Sequence, residues 1–103
     1  MQKLWSDIAW EQFQEWESRD RKTLRRLHLL LQSIDRNGYS CLGKPEPLKG
    51  NRAGWWSVRI DDANRLIFRI ENDILVIHSC MGHYCIAERK SRAMARVLSS
   101  MRT

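Results

Sequence analysis

The segment Gly43-Lys44-Pro45-Glu46-Pro47-Leu48-Lys49 holds one carboxylate between two prolines and flanks it with two lysines. Each proline locks φ and biases the residue before it toward extended backbone, so Lys44 and Glu46 are expected to project from a stiff loop. Downstream lie Arg59, then Arg65 at the head of an apolar alternation, then Gly82-His83-Tyr84. An acid to take a proton, fixed cations and a histidine to give a proton form a set suited to attack on a phosphodiester. Each has a plainer reading. Glu46 serves equally as a solvated loop residue, Arg59, Arg65 and Arg69 as solubilising charge, and His83-Tyr84 as structure at a strand end.

His78, Cys80, His83 and Cys85 lie close enough in sequence to raise a metal site, but they follow no paired finger spacing. Buried thiols are the expectation, with no metal and no other cofactor.

The elements that must position these groups fit a chain of 103 residues, which is one domain by length. With 43% hydrophobic residues and five Trp it can build a core without staples. Three cysteines cannot all pair within one chain, and no signal peptide or membrane-spanning apolar run is apparent, so a reducing cytoplasm is expected. The net charge of +6 points to an anionic partner such as nucleic acid or an acidic protein segment. Residues 85–103 supply four of those six charges, through Arg89, Lys90, Arg92, Arg96 and Arg102 against Glu88.

A short strand is expected over Lys3 to Trp5, followed by Ser6 as helix cap and Asp7 in the first turn. Trp10, Phe13 and Trp16 recur at three-residue steps and predict a helix whose aromatic stripe packs in the core. A second helix begins near Asp20, carries Leu24, Leu27, Leu31 and Ile34 on one face, and stops at Asn37-Gly38. His28 in that helix is expected to be a half-buried packing residue.

After the proline loop the period changes to 2, giving strands over Trp55 to Ile60, Arg65 to Ile70 and Ile74 to Cys80 in an antiparallel meander. Leu66, Phe68 and Ile70 then face the helices, and Arg65, Ile67 and Arg69 face away. A three-residue turn would pair Asp61 with Arg65 and set Arg59 opposite Ile67, on the face of Arg65; a four-residue loop would turn Arg59 to the wrong face. Met94, Val97, Leu98 and Met101 predict a basic amphipathic helix in the tail. The expectation is an α+β domain over residues 1–84, two N-terminal helices on a small antiparallel sheet, with a basic helical extension over residues 85–103.

In order and spacing, GKPEPLK at Gly43 to Lys49, GWWS at Gly54 to Ser57, the pairs Arg59-Ile60 and Arg65-Leu66, and His83-Tyr84 resemble the YoeB and Txe toxins of the RelE superfamily, which are ribosome-dependent mRNA interferases. The resemblance covers about Lys3 to Tyr84. It implies an endoribonuclease that cleaves mRNA in the ribosomal A site, inhibits translation, and is wrapped by a cognate YefM/Phd-type antitoxin; a homodimer is also open. It implies Glu46 as catalytic base, Arg65 as transition-state arginine and His83 as general acid, with Lys49 and Tyr84 supporting and Arg59 and Lys44 as further substrate contacts. RNA brings its own 2′-OH nucleophile, so this chemistry needs no metal. A carboxylate titrating near ~4.3 is a poor base, so little activity on free RNA is expected. Two departures qualify the resemblance: nineteen residues follow Tyr84 where close members end, and Met81-Gly82 precedes His83 where the family often has a basic residue. The alternative is a non-catalytic inhibitor or binding module on the same scaffold, like relatives that poison DNA gyrase.

Overall fold

A computed structural model describes residues 1–82. His83, Tyr84 and the extension predicted for residues 85–103 lie outside the described residues.

The chain runs β1 (Gln2–Trp5), α1 (Asp7–Arg19), α2 (Arg21–Asn37), β2 (Glu46–Pro47), β3 (Trp56–Arg59), β4 (Arg65–Glu71) and β5 (Ile74–Ser79), with single 3₁₀ turns at Gly38–Ser40 and Gly50–Arg52. Ser6 caps α1 by accepting from Ala9 N–H, as its position before Asp7 predicted. One residue joins the two helices. The Asp20 N–H donates to Trp16 O and closes α1, while its carboxylate accepts from Lys22 N–H, Thr23 N–H and the Thr23 hydroxyl to open α2. The Thr23 hydroxyl above all, then the backbone N–H groups, holds the Asp20 carboxyl below its ordinary value.

The five strands form one sheet in the order β1-β5-β4-β3-β2. The predicted meander is present as antiparallel β3-β4 and β4-β5 ladders, and the α+β class holds. The sheet is mixed rather than wholly antiparallel, because β1 lies parallel to β5 with Gln2 opposite Ile74 and Trp5 opposite Ile77. A parallel neighbour is reached only through a long crossover, here everything from α1 to β4, so adjacency along the chain gave no sign of it.

Leu66 and Phe68 of β4 and Leu75 and Ile77 of β5 are fully buried against Leu27, Leu30 and Ile34 of α2 and Ala9 and Trp16 of α1. Each such side chain contributes about 1.5–3 kcal/mol by leaving water, and truncating Leu30 to alanine should cost about 2–5 kcal/mol. The aromatic stripe only partly belongs to this core: Trp16 is buried, Phe13 half-buried, and Trp10 is 47% exposed. Trp10 instead stacks on Phe13 at 5.8 Å and meets Trp5 edge-on. His28 is likewise exposed rather than half-buried, with its ring 5.7 Å from that of Phe13. Both sit at the margin of the stripe, where helical period alone does not say how far the sheet reaches.

β4 and β5 change phase once. Ile67 pairs with Ser79 but Phe68 pairs with Ile77, so His78 is an extra residue in a bulge. Alternation from Val76, which pairs with Arg69, sets exposed His78 on the face away from the helices; the bulge holds Ser79 on that face as well and turns fully buried Cys80 back toward α1, its Sγ 3.6 Å from Ala9 O.

Candidate active site

β2 is two residues long, and its pairing sets the site. Glu46 lies opposite Ser57, Ser57 opposite Ile67, and Ile67 opposite Ser79, so all four share the sheet face away from the helices. Arg59 and Arg65 form the next pair on that face. This corrects the predicted register: Asp61 is not in the ladder but anchors a five-residue loop, accepting from Ala63 N–H, Asn64 N–H and the Asn64 amide. The odd loop length keeps Arg59 and Arg65 on one face and brings them directly opposite, closer than a pairing of Arg59 with Ile67 allows.

The Arg65 guanidinium is mostly covered, at 14% side-chain exposure, and Glu46 is half open at 48%. Arg65 Nη1 donates to Ser57 Oγ at 3.1 Å and lies 3.4 Å from Glu46 Oε1. Ser57 is fully buried, so its hydroxyl is a fixed acceptor that aims the guanidinium. An ion pair this long and this open is worth at most about 1 kcal/mol. Arg65 can therefore exchange the carboxylate for a phosphate oxygen at little cost.

The loop entering β2 is fitted closely to the sheet. Gly43 O accepts from Arg59 N–H at 2.7 Å, and Gly43 has φ +90°. A Cβ there would meet Leu30 Cδ2 at 2.9 Å, Val58 Cβ at 3.1 Å and Arg59 O at 3.2 Å. Lys44 departs from the expected extended backbone, with φ +54°. Two successive positive-φ residues let the chain reverse in the short span between the Gly43–Arg59 bond and the Glu46–Ser57 pair, which outweighs the proline bias at Lys44. Lys44 and Lys49 flank Glu46 in sequence, and both are exposed.

The described chain ends beside the same arginine. Gly82 O accepts from Arg65 N–H at 2.8 Å, and Gly82 N–H donates to Asn64 Oδ1 at 2.7 Å. His83 and Tyr84 follow Gly82 in sequence and lie outside the described residues.

Ser57, Asn64 and Gly82 were not anticipated as parts of this site. Ser57 carried a readable signal, a small polar residue two positions before Arg59 and so on the same strand face. Partial desolvation above all, and Arg52 after it, hold the imidazole of His78 below its ordinary value although the residue remains exposed, and burial pushes the Cys41 thiol up and the Cys80 thiol to about 12. His78 and Cys80 point to opposite faces of the sheet and cannot share one ion. Among the described residues no group of three or more His, Cys, Asp or Glu could hold a metal.

Two helices on one face of a five-stranded mixed sheet, with an acid and two arginines on the other, match the YoeB/RelE-like α+β toxin fold. A structure described as a YoeB/ParE toxin from Agrobacterium tumefaciens superposes with a TM-score of 0.79 at 32% identity, covering 82% of this chain and 100% of that one. A YoeB–YefM complex from Staphylococcus aureus gives 0.76 at 35% identity, covering 82% and 98%. In sequence, Toxin YoeB of Mycobacterium bovis is 46% identical over 76 residues, 74% of this chain and 89% of the relative. Toxin YoeB of Escherichia coli K12 is 34% identical over 84 residues, 82% of this chain and all of the relative. The profile of the YoeB-like toxin of bacterial type II toxin–antitoxin systems matches residues 5–84, and the chain belongs to that family.

Proposed function

We propose that this toxin is a ribosome-dependent endoribonuclease that cleaves mRNA in the A site. The observation that carries the reading is the Glu46 carboxylate 3.4 Å from the Arg65 guanidinium on the open sheet face, with Arg59 opposite Arg65. Glu46 accepts the proton of the RNA 2′-OH, and O2′ attacks the adjacent phosphorus. Arg65, seated by Ser57 and joined by Arg59, offsets the charge that builds on the phosphorane oxygens. The P–O5′ bond breaks as His83, next in the chain after Gly82, gives its proton to O5′. The products are a 2′,3′-cyclic phosphate and a 5′-hydroxyl. Lys44 and Lys49 attract the RNA backbone, and Tyr84 stacks on a base.

By likeness to the Staphylococcus aureus complex, the protein is neutralised in the cytoplasm by a YefM-type antitoxin, and it forms a dimer like the YoeB dimer of that organism. Exposed Trp10, beside Trp5 and Phe13, offers an apolar surface for a protein partner. No helix among the described residues is long and apolar enough to cross a membrane.

The test maps cleavage of a defined mRNA on purified ribosomes with the wild type, Glu46→Ala and His83→Ala. Wild-type cuts with the stated termini, lost in both variants, are expected. Intact mRNA with the wild type, or translation inhibited equally by all three proteins, would replace the nuclease with a non-catalytic inhibitor. A version ending at Tyr84 shows whether residues 85–103 aid or obstruct cleavage.

A further inference from the structure

Beyond Glu46, the open sheet face carries a second group of side chains that neither the core nor the cleavage chemistry uses. Trp55 precedes β3 and is two residues from Ser57, so it shares the face of the site about 6.6 Å further along the strand. Its carbonyl accepts from Leu48 N–H at 2.9 Å, which fixes its backbone beside the loop bearing Glu46 and Lys49. The ring is half-buried yet packs outside the core cluster, where its neighbour Trp56 belongs. The Arg69 guanidinium lies 4.5 Å over the Trp55 ring, and the His78 ring lies 5.2 Å from it at 41°. Arg69 Nη2 is held by Glu71 Oε2 at 2.9 Å, which steadies the guanidinium.

We propose that Trp55, Arg69 and His78 form a base-stacking subsite for a single-stranded RNA nucleotide adjoining the linkage addressed by Glu46 and Arg65. The inference rests on the nuclease reading and adds to it where the neighbouring base sits. An exposed imidazole and a guanidinium backed by indole are flat, π-bearing surfaces, and bases stack on such surfaces in single strands. Arg52 and Arg69 supply positive charge for the accompanying phosphates. Alternation from Val76, the partner of Arg69, sets His78 on this face beside Trp55, and the bulge keeps Ser79 there too while returning Cys80 to the core. Stacking tolerates any base, so the subsite positions the strand without dictating its sequence.

The test uses the full chain on ribosomes carrying an mRNA with either a normal or an abasic nucleotide beside the cut linkage. Trp55→Leu should lower kcat/KM about tenfold on normal mRNA, and the abasic nucleotide should lower the wild type comparably. The abasic change should add nothing in Trp55→Leu, and Trp55→Phe should recover most of the loss. Losses that multiply in the combined case, or Trp55→Leu cleaving like the wild type, would overturn the subsite while leaving the nuclease intact. Normal cleavage by Trp55→Leu combined with escape from antitoxin would assign the platform to the protein partner and also overturn it. If the wild type cuts nothing, the nuclease reading fails first, and an uncleavable 2′-deoxy oligonucleotide decides the subsite. Tighter binding of the normal than the abasic strand, lost in Trp55→Leu, supports stacking; equal binding of both strands rejects it.

Discussion

Arg59 and Arg65 face each other across the β3–β4 ladder. Like charges in a directly opposed pair destabilise a sheet by a few tenths to about 1 kcal/mol, so the fold alone gives no reason to keep both. An anionic ligand on that face does. Arg59→Gln is therefore expected to raise the melting temperature slightly at low salt, with the difference shrinking as salt screens the pair, while cleavage on ribosomes falls about tenfold. Thermal melts at low and high ionic strength check the first part. A variant that melts below the wild type would make Arg59 a structural residue.

Ser57 is the one fully buried polar side chain that contacts Arg65 among the described residues. Replacing it by alanine removes an acceptor from a guanidinium already mostly out of water, at a cost of about 1–3 kcal/mol in stability. Activity should fall further than this cost explains, because the guanidinium loses its aim, and Ser57→Thr should restore much of it. Turnover under saturating conditions is the readout. A Ser57→Ala protein that is less stable but turns over normally would sink the positioning role.

How much of this was legible in the sequence follows from which forces act locally. The two helices, the Ser6 cap, the start of α2 near Asp20 and the period-2 strands were readable because caps and periodicity are local properties of the chain. Glu46, Arg59 and Arg65 were readable as candidates from residue type, spacing and resemblance. What escaped was set by distant pairing. The parallel docking of β1 on β5, the direct Arg59–Arg65 pair and the His78 bulge each depend on a register that alternation does not fix. The positive φ at Lys44 escaped because a local rule about residues before proline yielded to the needs of a tight reversal.

Gly43 makes that reversal possible, and its environment leaves no room for a side chain. Gly43→Ala would add the cost of a left-handed backbone to a clash with Leu30, Val58 and the Arg59 carbonyl, together about 3 kcal/mol. Because the same loop delivers Glu46, cleavage should be lost even at temperatures where the variant stays folded. Chemical denaturation and a ribosome cleavage assay at low temperature test the two parts separately. A Gly43→Ala protein as stable as the wild type would show that the loop relaxes freely.

His78 gives stability a pH dependence of defined sign. Partial desolvation first, and Arg52 second, hold its folded pKa below the ordinary 6.5, so the unfolded chain binds the proton more tightly than the folded one. Well above 6.5 both states are neutral and nothing is lost. As pH falls through 6.5 the unfolded chain is protonated first and stability declines, until the lower folded value is passed and the loss becomes constant. The depressed Asp20 carboxyl acts in a separate window, since its contribution is complete above 3.8 and disappears only as pH drops below that value through the folded one. Urea titrations of the wild type and His78→Gln from about pH 7.5 to about pH 5.5 isolate the histidine, because every other titrating group is common to both proteins. The wild type should lose stability relative to His78→Gln as the solution is acidified across that range. Parallel curves would mean that His78 is as well solvated in the folded toxin as in the unfolded chain, and the packing of its ring against Trp55 would then carry no electrostatic consequence.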